Sequence, residues 1–422
     1  MPSYLLFLIY LTFGIALLHW IIRRNHFPFS PCHTAALFIF KVLAGCLYGY
    51  IFLHYYGGDD TWAFIIDSRK QTILLNSHPG QYINEFLPGF SLGKTHHDLW
   101  AACLYYVDHF EDWFMVKLFG ILNLSGGGNY YIDVLWFELL IVAGPLLLFR
   151  LMEIASPGKT GIFFLLIFFM PSITFWCSGI RAEGLILLFI AIAIYYGRLF
   201  ALDPGWRSGI AVFFGLLGLL LFRVQYLVFL LPALLTYMAS IKYQRVRPVC
   251  FNLVYLVLII VFSVSLLLPQ SYQLSRPLIH AQQGFFVLHG NTRYDLDSLK
   301  PGLLSPFSLL PQALTNAAFR PFAWEAKGSL QIFSSMESLF LIFGLCVFFF
   351  NRKKKNGIRD PLYWLLLYYG VSQLIAIGYI VPFPGAIVRY RSIPLLFILL
   401  FLFSCNFKLQ QAITARIFHR IK

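Results

Sequence analysis

Residues 249–268 run for twenty positions without a charged side chain, and Leu, Ile, Val and Phe fill most of them. One helix needs about 20 apolar residues to cross the hydrocarbon core of a bilayer. Ten further segments are apolar enough to be candidates: roughly 3–22, 34–55, 129–149, 160–177, 182–197, 209–222, 224–240, 333–350, 361–382 and 392–406. The whole chain follows suit, with 59% hydrophobic and 12% charged residues and a mean hydropathy of +0.73. Soluble domains carry about 25% charged residues, so a water-soluble globule is excluded, and so is a disordered chain. A β-barrel would show weak alternation instead of long apolar blocks. The expected fold class is all-α: a polytopic transmembrane helix bundle of about eleven spans, with two long outer-face loops carrying interfacial helices. Arg23 and Arg24 follow the first span and no basic residue precedes it, which predicts an uncleaved helix, not a signal peptide.

The formal net charge is +14. In a soluble protein that would suggest nucleic acid; between membrane spans it reads as basic cytoplasmic loops, with no nucleic-acid partner. Eighteen of the basic residues fall in short loops on one side: Arg23, Arg24, Arg150, Lys159, Arg198, Arg207, Lys242, Arg245, Arg247, Arg352, Lys353, Lys354, Lys355, Arg359, Lys408, Arg416, Arg420 and Lys422. Only Glu153, Asp203 and Asp360 accompany them, and Lys41 lies within a span. The dense side is predicted to be cytoplasmic, which puts the N-terminus outside and the C-terminus inside. Seven scattered Cys with no CxxC pair signal neither a zinc site nor a disulfide framework.

Two outer loops are long, about 57–128 and 269–332. The first holds eight acids: Asp59, Asp60, Asp67, Glu85, Asp98, Asp108, Glu111 and Asp112. Within it Val107, Phe110, Phe114 and Leu118 recur at helical spacing with Asp108, Glu111 and Asp112 opposite, predicting a helix in the membrane interface.

Charges near a bilayer are costly, so each one outside the basic loops asks for a reason. Gly57-Gly58-Asp59-Asp60 follows the second span as a tight turn able to present an acid at the membrane surface. Such an acid suits a general base or, through its oxygens, a divalent cation; a plain polar helix cap is the alternative. Trp176-Cys-Ser-Gly-Ile-Arg181-Ala-Glu183 is a very short outer turn. Its Arg either binds phosphate or simply neutralises Glu183. Arg223 stands alone between two apolar runs, snorkelling or facing a cavity. In 319–327, Arg320, Trp324, Glu325 and Lys327 interleave with aromatics, fitting a sugar ring and a phosphate or an interfacial belt. Arg389-Tyr390-Arg391 opens the last span from outside, where an anionic ligand or pairing with Asp59 or Asp60 would explain two Arg. All five features fall on the outer face, suggesting one cavity with two acids and several Arg. A lipid phosphate donor suits it, with an acid for the acceptor hydroxyl. His96-His97-Asp98 is a further, weaker metal candidate.

This layout resembles the GT-C superfamily of membrane glycosyltransferases, of the protein O-mannosyltransferase and aminoarabinose transferase type. The matching features are an acidic pair in the first long outer loop, helices lying on the membrane there, a second long outer loop after the seventh core helix, and a terminal Arg-Tyr followed by Pro. The resemblance covers 34–406. Residues 1–33 form an extra N-terminal helix and cytoplasmic loop, and 407–422 a basic cytoplasmic tail in place of the soluble domain of many members. It implies an inverting transfer from a polyprenyl-phosphate sugar donor in the lipid bilayer to a glycan, lipid or protein acceptor. Asp59 or Asp60 would activate the acceptor, with a divalent cation (Mg or Mn) as the conceivable cofactor. Arg181, Arg223, Arg320, Arg389 and Arg391 would be candidates for the phosphate group, of which Arg389 and Arg391 sit on a matching motif. An O-antigen-type polymerase or ligase using polyprenyl-diphosphate glycans, or a transporter of lipid-linked sugars, are the competing readings. Topology favours a bacterial inner membrane, with the site on the periplasmic face.

Overall fold

The computed structural model describes residues 2–85, 99–158, 160–243, 248–290, 292–326, 328–350, 360–404, 413–414 and 417, without the side chains of 99–104 and 329. His96, His97 and Lys327 lie outside the described residues, as do Lys159, the 244–247 and 351–359 loops and most of the 407–422 tail.

The described chain is helical, with no strand. Helices α1 (Ser3–Arg24) and α2 (Pro31–His54) form the first hairpin. The Ser30 side chain accepts from the His33 amide and the His33 ring from the Ser30 amide, a reciprocal cap with Pro31 at the first helical position. The first long loop folds into α3 (Asp60–Ser77), α4 (Pro79–Asn84) and α5 (Leu99–Gly126). Then come α6 (Tyr130–Ile141), α7 (Ala143–Ala155), α8 (Gly161–Phe169), α9 (Pro171–Trp176), α10 (Ala182–Leu202), α11 (Trp206–Lys242) and α12 (Pro248–Ser265). The second long loop carries α13 (Arg276–Val287), α14 (Leu304–Leu314) and a π-helical turn at Thr315–Phe319. Helices α15 (Ser329–Phe350), α16 (Leu362–Ile380) and α17 (Pro384–Ser404) complete the bundle.

Nine helices among the described residues are long and apolar enough to cross a membrane: α1, α2, α6 with α7, α10, α11, α12, α15, α16 and α17. The chain is an integral membrane protein by this measure. Two features separate nine from the eleven expected. The 160–177 segment is broken at Met170 into α8 and α9, each too short to span. Pro171 brings no amide hydrogen, and the buried Glu337 carboxylate accepts the next amide, that of Ser172, at 2.6 Å.

The runs 209–222 and 224–240 form the single element α11, whose one non-helical residue is Arg223 (φ −157°, ψ 89°). Gly209 packs on Phe200 of α10, while Tyr237 reaches Arg198 at 3.2 Å. The 28 helical steps from Gly209 to Tyr237 would separate them by about 42 Å in a straight helix. They instead meet positions two residues apart on α10. The element thus doubles back at Arg223, and both limbs lie along α10.

The most enclosed of the candidate spans is α17, in which every residue from Arg391 to Ser404 is buried. At the other extreme, α12 buries only Phe251 and Ser265 and presents a row of Val, Ile and Leu, as a lipid-facing helix does. The second loop docks on the end of α16, where the Gln282 amide donates to the carbonyls of Asp297 (3.0 Å) and Tyr379 (2.8 Å) and its oxygen accepts from the Leu299 amide. At the opposite end of the bundle Arg198 pairs with Asp360 at 2.8 Å and Arg150 with Glu153 at 2.5 Å.

Candidate functional site

The site assembles where α2, α3, α10, α11 and α17 converge. After α2 the chain turns through Gly57 (φ +75°) and Gly58 (φ +108°), conformations that L side chains rarely adopt. This delivers Asp59 as the N-cap of α3, its Oδ1 accepting from the Thr61 amide at 3.1 Å. Asp60 is the first helical residue, so its carboxylate sits at the positive end of the helix dipole.

Arg181 is the hub. It caps the start of α10 and is almost fully buried. It donates through Nη1 to Asp59 Oδ2 (2.7 Å) and the Tyr48 hydroxyl oxygen (3.3 Å), and through Nη2 to Asp60 Oδ2 (3.1 Å). Its Nε faces Glu183 at 3.6 Å. Burial pulls the guanidinium pKa down, but Glu183, Tyr48, Asp59 and Asp60 outweigh it and hold Arg181 above its ordinary value. Tyr48 donates to Asp59 Oδ2 at 2.8 Å, and Thr61 donates to the Ile180 carbonyl at 3.1 Å. The 177–181 turn presses so tightly on α2 that a Cβ on Gly179 would lie 2.6 Å from the Tyr48 ring. Beneath it, Lys41 donates to Ser178 Oγ at 2.8 Å and pairs with Glu138 at 3.2 Å.

From Arg181 the charges continue inward and across. Glu183 is buried and also binds Arg389 of α17. Arg223, at the fold-back of α11, pairs with Glu111 of α5 at 2.8 Å. Arg181 and Arg389 are thus joined to Asp59, Asp60 and Glu183 in one chain of ion pairs, with the Arg223–Glu111 pair beside it. Exposure is uneven: the Asp60 side chain is 70% exposed and Arg223 33%, while Asp59 and Glu111 are each 13% exposed. Burial pushes the Glu111 carboxyl up to about 7 even beside Arg223.

Of the residues singled out in the sequence, Asp59, Asp60, Arg181, Glu183, Arg223 and Arg389 come together. Tyr390 stands beside them, its carbonyl accepting weakly from the Tyr226 hydroxyl at 3.4 Å. Arg320, Trp324 and Glu325 form a separate cluster in the second loop. Arg320 binds Glu325 at 2.5 Å and covers the Tyr294 ring at 4.2 Å, and Trp324 stacks on Phe322 while remaining 81% exposed. Burial raises the Glu325 carboxyl, but Arg320 and the Phe322 amide prevail and hold it below its usual value. Arg391 points away from the acids and is wholly enclosed. It donates to the carbonyls of Ala317 (3.1 Å), Arg320 (2.5 Å) and Ser334 (3.2 Å) and to the hydroxyls of Ser334 (2.8 Å) and Ser338 (3.0 Å).

Two site residues escaped the sequence reading. Tyr48 shares a face of α2 with Lys41 and Gly45, at spacings of four and three, and that face meets the 177–181 turn. Glu111 is predicted by the sequence pattern to lie on the outward face of its helix with Asp108 and Asp112. It turns inward with Met115 and Phe119, at spacings of four, while Asp108 and Asp112 are exposed.

The donor set does not suit a divalent cation. Both Asp59 oxygens are taken by Thr61, Tyr48 and Arg181, and the Arg181 guanidinium fills the space between the two acids. Among the described residues no group of three or more His, Cys, Asp or Glu is arranged to hold a metal. No protein-family model, curated protein or solved structure matches the chain.

Proposed function

We propose that the chain is a GT-C-like membrane glycosyltransferase, moving a sugar from a polyprenyl-phosphate donor to an acceptor hydroxyl at the outer surface of a bacterial inner membrane. The observation that carries this reading is an exposed carboxylate and an accessible guanidinium at one site: Asp60 is joined through Arg181 and Glu183 to Arg389, and the Arg223–Glu111 pair lies close enough for its charges to act on Glu183. An acid and a cation fixed in one site are what glycosyl transfer from a phosphate needs. Asp59 is consumed by its contacts, which leaves Asp60 as the base.

In the reaction, Asp60 takes the proton of the acceptor hydroxyl as its oxygen bonds the anomeric carbon. The bond from that carbon to the phosphate oxygen breaks from the opposite side, with inversion. The phosphate leaves with the electron pair, its charge met by Arg223 and Arg389 in a partly buried setting where such pairing is strong. Arg181 holds the Asp60 carboxylate in place through Oδ2. The prenyl chain remains among the lipid-facing helices throughout.

Native mass spectrometry of the protein released gently from its own membranes tests the reading. A retained prenyl monophosphate, bare or carrying one sugar, is the expected result, and Asp60→Asn should keep that lipid yet lose turnover. A prenyl diphosphate bearing an oligosaccharide would move the assignment to a polymerase or ligase. Full activity in both the Asp59→Asn and Asp60→Asn variants would sink the assignment of the base.

A further inference from the structure

The geometry points to Glu111 as an exchangeable counter-ion of Arg223, which the phosphodiester of a lipid-linked substrate displaces from the guanidinium. This rests on the reading above for the chemistry of the ligand, but not for the transfer step.

Every guanidinium of the network already has a carboxylate partner, so an entering anion must replace one. The four carboxylates differ sharply in how firmly they are held. Asp59 accepts from Tyr48, from Arg181 and from the Thr61 amide. Glu183 is fully buried between Arg181 and Arg389. Asp60 binds the most enclosed of the guanidiniums, and a ligand would have to enter behind it. Glu111 alone is joined to the most accessible guanidinium, through Oε2 at 2.8 Å and Oε1 at 3.1 Å. It belongs to α5, which packs on the apex of α11 through Phe110 and Phe114 against Phe222. A carboxylate on one helix and a guanidinium on another can part by side-chain rotation alone, without a backbone rearrangement.

The surrounding charges favour departure as the neutral acid. Arg223 of α11 and Arg389 of α17 act to keep Glu111 ionised; Glu183 of α10 and its neighbour Asp112 oppose them, and burial adds to the opposition. On α3 the charged groups are occupied elsewhere: Asp60 on Arg181, Asp67 on Lys70 and Arg69 on the Gly128 carbonyl. The Asp133 carboxyl of α6 lies against Gly126, fifteen residues along α5 from Glu111. Once a phosphate holds Arg223, Glu111 loses its cation and gains an anionic neighbour. It then takes up a proton from water, and ligand binding becomes proton-linked.

The test is a titration of the purified full chain with dioctyl phosphate, a diester whose single charge is constant from pH 6 to 9. Wild-type affinity should fall about tenfold per unit above pH 7, because only the protonated fraction of Glu111 yields freely. Glu111→Gln should bind about tenfold more tightly than wild type at pH 8 and show a flat profile. Arg223→Gln should lose binding at least tenfold at every pH. Calorimetry in buffers of different ionisation enthalpy gives a second readout without any variant: close to one proton taken up per ligand at pH 8. Inorganic phosphate, run alongside, separates a free anion from a lipid-borne one. Binding that ignores Arg223, a wild-type profile as flat as that of Glu111→Gln, or no proton uptake overturns the exchange. The same results leave sugar transfer untouched, and a failure of transfer with the exchange intact condemns only the transferase reading.

Discussion

Replacing Arg391 by Met separates a structural arginine from a ligand-binding one. The guanidinium is sealed between the π-helical turn at Thr315–Phe319, α15 and α17, and it supplies donors to the carbonyls of Ala317, Ala318, Arg320 and Ser334 and to two hydroxyls. The two hydroxyls can re-aim, and Ser338 already donates to the Ser334 carbonyl. The carbonyls of Ala317 and Arg320 have no such recourse. Each buried acceptor left without a donor costs about 1–3 kcal/mol. Removing a buried charge recovers part of this, because the Arg391 Nε has no acceptor of its own. The balance is a loss of about 2–5 kcal/mol. At roughly 2 °C per kcal/mol for a large chain, the thermal midpoint in detergent should drop by about 4–10 °C. Arg391→Lys should resemble the Met variant, since one ammonium cannot reproduce the planar fork that reaches carbonyls on two elements. Size-exclusion chromatography after stepwise heating reads the midpoint directly. An unchanged midpoint with lost donor binding would refute this account and restore Arg391 as a phosphate ligand.

Lys41→Met leaves Glu138 buried without its cation and should cost about 3–5 kcal/mol, whereas adding Glu138→Leu should recover most of it; equal midpoints for the single and double variants would count against a buried pair. A Cβ on Gly378 would lie 2.0 Å from the Ala313 carbonyl oxygen, backbone against backbone, so Gly378→Ala should loosen the second loop and speed its proteolysis around 292–303; an unchanged cleavage rate would show that α14 can shift at no cost. The folded-state pKa of Glu111, about 7, lies above its ordinary 4.5, so the folded protein binds the extra proton between those values and stability should fall as pH rises through that window, by up to about 3 kcal/mol. Glu111→Gln should flatten that slope, and an identical slope in both proteins would show that Glu111 is not its source.

Hydropathy alone made the helical membrane architecture legible, because a bilayer leaves a long apolar run few other options. The break at Met170 was not legible, since its tolerance depends on Glu337, more than 160 residues away. The acidic turn and the isolated Arg residues were visible as misplaced charge, yet their partners were not. Arg389 and Arg391 look equivalent in the sequence. Two residues along a helix turn a side chain by about 200°, so one meets Glu183 and the other the carbonyls behind it. Glu111 was hidden by the opposite difficulty. Its neighbours Asp108 and Asp112 are ordinary surface acids, and only the spacing to Met115 and Phe119 marked the inward face.

The reversal of α11 leaves no slack. Most connections between helices absorb an inserted or deleted residue by bulging outward. Here a single residue joins the two limbs, so adding or removing one would rotate an entire limb by about 100° about its own axis. Gly215 and Gly218 would then swing away from Ala193 and Phe189, and Leu234 and Met238 away from Gly197. The length of this corner is thus fixed by the phase of the helices on either side of it. Arg223 inherits that fixity, and its guanidinium starts from a main-chain position that both limbs hold in common.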